Sequence, residues 1–291
     1  MRCRVTTNSS ANYFKDILSK IGRIDSFNAL KNDSIETFLN EMDEAGITTA
    51  VSVSGNNPGG QFGRFFQPPR TTSNEELAYL QEKYYGRIIG VGGIDAGNVY
   101  HNSLDEIQKC FDLGLRAIFI EPGRSPGCLL NDHILYPIYE KCQKLNLSLI
   151  PQTSGLLGGK NIDYANPRYI EEIAEDFPEL RIICGHGCYP YVREMIMVCQ
   201  RRDNIWASPD LYLLKGLGKQ DWIDAVNNNL FDFSDKFIFG SAYPFMHMLD
   251  AVQGYKEINW NQEVQDKIFY KNALRALNLE NDEIFKKLYN L

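Results

Sequence analysis

The sequence contains no apolar run near the ~20 residues that a bilayer-spanning helix needs. Its first ten residues, M-R-C-R-V-T-T-N-S-S, lack the long apolar segment of a secretory signal. There is no basic excess either: 30 Lys and Arg face 37 Asp and Glu, a formal net charge of −7, and the cations are scattered. That balance gives no support to a nucleic-acid surface. Low-complexity segments, composition breaks and domain-sized repeats are also missing. The seven cysteines are odd in number and several sit inside apolar patterns, which reads as free thiols in a reducing cytoplasm. Cys184-x-x-x-Cys188 has no second ligand pair nearby, so a structural zinc is not expected.

What is present is core material, 44% hydrophobic and 12% aromatic, in 291 residues. Short apolar or β-branched runs recur at 1–5, 48–53, 87–94, 115–120, 147–151, 181–184, 205–208 and 236–239. Helical patterns separate nearly all of them. One over 33–45 carries Ile35, Phe38, Leu39 and Met42 on one face, with Asp33 and Glu36 as a capping box. Others open at Ser73, at Ser103, near Leu135, at Asn166-Pro167 by the N-cap and N1 rules, at Tyr189 and near Asp221, and two more follow at the C-terminus. Between the first run and residue 33 the chain reads as a polar loop. A second long loop, N-N-P-G-G-Q-F-G-R-F-F-Q-P-P-R, follows the second strand. Eight strands in strict alternation with helices, and no linker, predict a single-domain (β/α)8 TIM barrel over residues 1–291.

Active sites of such barrels lie at the C-terminal ends of the strands. That rule selects Arg2 and Arg4, Ser54, Glu121, Gln152, His186, Asp210 and Ala242. His186 stands between two glycines at the end of its strand, which suits either acid–base chemistry or a backbone-bonded turn histidine. Asp210 reads as its orienting partner, as a proton carrier in its own right, or as a plain loop carboxylate. Glu121, in E-P-G, reads as a general base or as half of a buried Arg–Glu pair with Arg2 or Arg4. Arg2 and Arg4 are two apart and share one strand face, either in solvent or in the mouth as an anion clamp. Tyr212 and Tyr243 are candidates for the pocket wall, and Arg64, Arg70 and Arg124 for contacts with a substrate anion. His101, His133 and His247 fall outside the strand ends.

The runs G-L-R-A-I-F-I-E-P-G (114–123), N-D-H-I-L-Y-P-I-Y-E (131–140), N-P-R-Y-I-E-E-I-A-E-D-F-P-E-L-R-I-I-C-G-H-G (166–187), F-I-F-G-S-A-Y-P (237–244) and K-I-F-Y-K-N-A-L-R-A-L (267–277) carry a resemblance. Together they resemble the amidohydrolase superfamily, in the branch that includes aminocarboxymuconate semialdehyde decarboxylase, γ-resorcylate decarboxylase and related lactonases. The resemblance implies a hydrolase or a decarboxylase acting on a small carboxylate, a homodimer, and a structural role for Asn272. It also implies a divalent metal held by His-x-His on strand 1, a His ending strand 5 and an Asp ending strand 8, with a further His ending strand 6. Here those positions read Arg2-Cys3-Arg4, Gln152 and Ala242, and only His186 matches. Arginine has no lone pair for a cation, so loss of the metal is expected. The catalytic candidates are then His186, Asp210 and Glu121, and the substrate contacts Arg2, Arg4, Gln152 and Tyr243. The alternative is a catalytically decayed barrel that binds a small anion or a protein partner.

Overall fold

The computed structural model describes residues 2–3, 8–98, 100 and 102–291. Among these, eight parallel strands form one sheet. They are β1 (Arg2–Cys3), β2 (Ala50–Val53), β3 (Ile88–Gly93), β4 (Ala117–Ile120), β5 (Ser148–Pro151), β6 (Ile182–Gly185), β7 (Ile205–Ser208) and β8 (Gly240–Tyr243). The order is β8-β1-β2-β3-β4-β5-β6-β7. A parallel bridge from Ala207 to Phe237 joins the two ends, with the Ile238 N–H donating to the Ala207 carbonyl at 2.9 Å. The sheet is therefore a closed (β/α)8 barrel, as the alternation predicts.

Period-two patterning sorts the strand residues into two layers. Val51, Val53, Ile89, Phe119, Ile183 and Trp206 belong to the inner cluster. Ala50, Ile88, Ile118, Leu149, Ile182 and Ile205 belong to the outer one, under the helices. The glycines of β3 answer a packing need. A Cβ on Gly90 would lie 2.5 Å from Leu115, and one on Gly92 would lie 2.5 Å from the Cys110 sulfur. At the N-terminal end of the strands, Leu274, Leu277, Leu279 and Phe285 join the inner cluster and plug the barrel. No helix among the described residues is long and apolar enough to cross a membrane.

Four expectations need correction. The stretch read as a polar loop contains the helix Asn8–Lys20, whose Ala11, Phe14 and Leu18 are buried at helical spacing. The second long loop contains a hairpin, Gly60–Phe62 with Phe65–Gln67, closed at its base by the Asn57–Arg70 bridge. The cap of helix Ile35–Glu44 is Ser34, which accepts from the Thr37 N–H, while Asp33 ends the preceding short helix in a left-handed conformation. Finally, the 236–239 run is the approach to β8 rather than the strand itself. Its bonds go to Ala207 and, through the Phe239 N–H, to the Ile268 carbonyl at 2.9 Å; the ladder with β1 starts at Gly240.

Asn272 holds this approach in place. It is fully buried, and its amide donates to the Ser234 carbonyl at 2.7 Å and the Phe237 carbonyl at 2.9 Å. Asn272→Ala strands both acceptors, so a loss of about 2–4 kcal/mol is expected in urea denaturation. An unchanged midpoint would contradict the role assigned to this side chain.

Candidate active site

Where β6 ends, three successive residues turn through left-handed backbone: His186 (φ 75°), Gly187 (φ 57°) and Cys188 (φ 54°). Gly185, by contrast, is still strand. Only the second glycine of Gly-His-Gly serves the turn conformationally. Asp210, just beyond β7, and Ala242, within β8, also have positive φ, at 47° and 53°. Three non-glycine residues at neighbouring strand ends thus sit where a Cβ is disfavoured, by about 1 kcal/mol or more each. Such strain persists only where the surroundings impose it, and it aims side chains that a relaxed strand would point elsewhere.

The result is a buried pair. Asp210 Oδ2 lies 2.9 Å from His186 Nδ1 and Oδ1 lies 3.2 Å from it. The Asp210 side chain is fully buried, while His186 keeps 16% exposure toward the mouth. A carboxylate on Nδ1 fixes the proton there and gives Nε2 the lone pair. The edge of the imidazole meets the Tyr212 ring at 5.6 Å, and Tyr189 stacks on that ring at 4.3 Å. The Tyr212 hydroxyl pairs with Ser154 Oγ at 3.0 Å. Burial holds the Tyr212 phenol above its ordinary pKa, so it stays a proton-bearing group through neutral pH.

A cavity of about 850 Å³ opens above this pair. The strand ends give it Gln152, His186, Ala242 and Tyr243. Arg23, Arg70, Arg124, Lys215 and Lys219 also reach it, against the carboxylates of Asp250 and Glu257. Gln152 Oε1 accepts the Ser154 N–H at 3.2 Å, so the amide NH2 is the group it offers inward. Tyr243 is packed edge-on by Phe27 and Phe38. Among the described residues, no three His, Cys, Asp or Glu side chains come together as metal ligands. Arg2 registers with Val51 and Gly240 through its backbone, while its side chain and the whole of Arg4 lie outside the described residues.

Glu121 is not on the cavity wall. It lies behind it, in a buried ion pair with Arg70 that accepts a further hydrogen bond from Asn57 at 2.5 Å. Arg124 Nε sits 3.4 Å away on the other carboxylate oxygen. The ion pair observed is with loop arginines; the partners expected for it, the side chains of Arg2 and Arg4, lie outside the described residues. The local backbone makes room for this: a Cβ on Gly55 would come within 2.1 Å of the Arg70 guanidinium. Arg64 is exposed and stays on the hairpin, against Phe65. Missed in the sequence were Tyr13, Phe14, Gln67 and Arg23, which reach the mouth from the N-terminal helix, the hairpin and the loop after the helix. The apolar spacing of 11, 14 and 18 was the available signal.

The amidohydrolase family model matches residues 40–279. No curated protein matches the chain. Among solved structures the chain is similar to an uncharacterized TIM-barrel protein from Bordetella bronchiseptica, 28% identical with a TM-score of 0.81, over 96% of this chain and 99% of that one. It is also similar to 2,6-dihydroxybenzoate decarboxylase from Rhizobium, 18% identical with a TM-score of 0.63, over 85% of this chain and 89% of that one. A third is 5-carboxyvanillate decarboxylase from Novosphingobium aromaticivorans, complexed with manganese and 4-hydroxy-3-methoxy-5-nitrobenzoic acid. It is 19% identical with a TM-score of 0.61, over 83% of this chain and 79% of that one.

The buried ion cluster makes an asymmetric prediction. Glu121→Gln leaves two buried guanidinium groups facing no carboxylate and is expected to cost about 3–5 kcal/mol in chemical denaturation. Arg124→Gln keeps the Arg70–Glu121 pair and is expected to cost much less. Equal losses for the two variants would contradict this account of the cluster.

Proposed function

This chain belongs to the amidohydrolase family, and from that premise we propose that it is a hydrolase or decarboxylase of a small carboxylate-bearing substrate that works without a resident divalent metal. The observation that carries the reading is the His186–Asp210 pair, 2.9 Å apart, beneath a cavity with five cationic side chains. A buried carboxylate on Nδ1 orients the imidazole and stabilises the imidazolium, while Nε2 exchanges the proton with the substrate. In hydrolysis Nε2 takes a proton from the attacking water, and the Gln152 amide and the cationic wall receive the developing oxyanion. In decarboxylation the imidazolium delivers its proton to the carbon bearing the carboxylate. The carbon–carbon bond electrons then return to the substrate as carbon dioxide leaves.

The donor chemistry supports the metal-free part of the proposal. At the described strand-end positions where the resemblance leads one to expect ligands stand an amide whose oxygen is already engaged, a methyl group and a single imidazole bound to a carboxylate. Zinc and manganese sites need three or more nitrogen, oxygen or sulfur donors from the protein or water, with anionic or imidazole groups dominating. This set does not fit them. A second reading, a barrel that binds an anion without turning it over, draws on Ala242, where the expected carboxylate is missing. The close pairing of Asp210 with His186 at the mouth weighs against decay.

A panel of carboxylated aromatics and lactones, scored for carbon dioxide release and for ring opening, separates the two reactions. His186→Ala is expected to abolish turnover of whichever substrate is found, and Asp210→Asn to lower kcat by about 10²–10⁴-fold. Dialysis against a chelator is expected to leave the rate unchanged. Full activity in His186→Ala would remove the catalytic assignment, and stoichiometric zinc or manganese binding at His186 would overturn the metal-free one.

A further inference from the structure

The wall beside His186 carries a hydroxyl pair that the histidine's bond to Asp210 does not use. Ser154 stands just past β5, His186 at the end of β6 and Tyr212 just past β7, and these strands are neighbours in the sheet. All three residues line the cavity. The Tyr212 ring is clamped from two sides. The imidazole meets it edge-on at 5.6 Å, and Tyr189 stacks on it at 4.3 Å with the planes 6° apart. Tyr189 is itself pinned: its hydroxyl accepts the Leu217 N–H at 3.4 Å, and a Cβ on Gly216 would lie 2.8 Å from its ring. The clamp fixes the phenol oxygen at the Ser154 hydroxyl, 3.0 Å away.

Ser154 decides which way the phenol proton points. Its side chain is buried, and its oxygen has one proton and two lone pairs to place. The Leu156 N–H donates to that oxygen at 3.2 Å, and its other partner among the described residues is the Tyr212 hydroxyl. Were Tyr212 the donor, the Ser154 proton would be buried without an acceptor, which is costly. With Ser154 as the donor, its own groups are met and the Tyr212 proton is left for the cavity. The Ser154 N–H also donates to Gln152 Oε1 at 3.2 Å, so one residue orients both neighbouring donors. We infer that the Tyr212 hydroxyl, turned inward by Ser154, is a catalytic hydrogen-bond donor to the substrate oxygen that carries negative charge during the reaction, beside His186. This deepens the reading given under Proposed function and rests on it. In hydrolysis the water oxygen bonds to the carbonyl carbon, the π electrons move to the carbonyl oxygen, and the water proton goes to Nε2. Tyr212 donates to that carbonyl oxygen and keeps its own proton, which burial holds in place through neutral pH.

The test uses binding, so that it does not depend on turnover. The probe is 4-nitrophenol, whose phenolate stands in for the charged oxygen and is seen by its own absorbance; nitrobenzene is the neutral control. Both are titrated into wild-type protein, Tyr212→Phe, Ser154→Ala and Ser154→Thr. Wild-type protein is expected to bind the phenolate at least about tenfold more tightly than nitrobenzene. Tyr212→Phe keeps the ring stack and should lose about tenfold in phenolate affinity, with nitrobenzene binding unchanged. Ser154→Ala should lose part of the preference and Ser154→Thr, which restores the hydroxyl, should recover it. A protein with this preference that turns over nothing in the substrate panel would sink the enzyme reading and leave the inward donor standing. Equal affinity for the two probes in wild-type protein, no binding of either, or a phenolate preference that survives in folded Tyr212→Phe would overturn the donor. If Tyr212→Phe does not fold, the two Ser154 variants decide: equal weakening of both probes in Ser154→Ala would overturn it.

Discussion

The Glu121 carboxylate ties together the parts of the mouth that no strand controls. It stands just past β4 and meets Asn57 and Arg70 at the two ends of the hairpin loop, and Arg124 in its own turn. Through Arg70 the hairpin is brought over the barrel, and through the hairpin Gln67 reaches the Tyr13 hydroxyl at 2.8 Å, which fastens the N-terminal helix. One buried anion therefore positions a loop, a hairpin and a helix. Such an ion is tolerated away from water because Asn57, Arg70 and Arg124 supply a donor and two cations around it. The cavity inherits its shape and its charge from that requirement.

Barrel closure imposes the second constraint. The strands end in a ring, and the turns leaving β6 and β7 must reverse within a residue or two to let the next helix pack outside. His186 and Asp210 take left-handed backbone there, and the reversal points the imidazole and the carboxylate at each other. Ala242 shares that conformation without carrying a functional group. A methyl in a strained position gains nothing from the strain, so the backbone at β8 is set by the fold, and the side chain on it is free to differ.

Much of the fold was legible because burial on both faces makes parallel strands read as continuous apolar runs. Seven of the eight runs overlap strands of the barrel, and the eighth falls just before its strand because Phe237 to Phe239 spend their bonds on Ala207 and Ile268 before the ladder begins. The N-terminal helix was hidden by its Asn- and Ser-rich start, which outweighed three buried positions at helical spacing. The strand-end rule brings His186, Asp210, Gln152 and Glu121 to the C-terminal rim of the barrel because topology alone puts them there. It did not predict which arginine would meet Glu121. That pairing links residues 51 apart, through a hairpin whose sequence reads as loop, and no local pattern encodes it.

Charge balance shows why burial, more than net charge, governs this cavity. At −7 the chain as a whole repels an anion, though beyond roughly 8–10 Å of solvent that repulsion is screened at physiological salt. Among the described residues the balance inside the mouth is reversed, with five cationic side chains against two carboxylates on the wall. Lys215 and Lys219 reach water, so they attract at long range and hold weakly. Arg70 and Arg124 do not: their field acts through low-dielectric surroundings and over short distances. The positive charge of the wall is thus held at two depths, with exposed lysines that solvent screens and buried arginines that it does not.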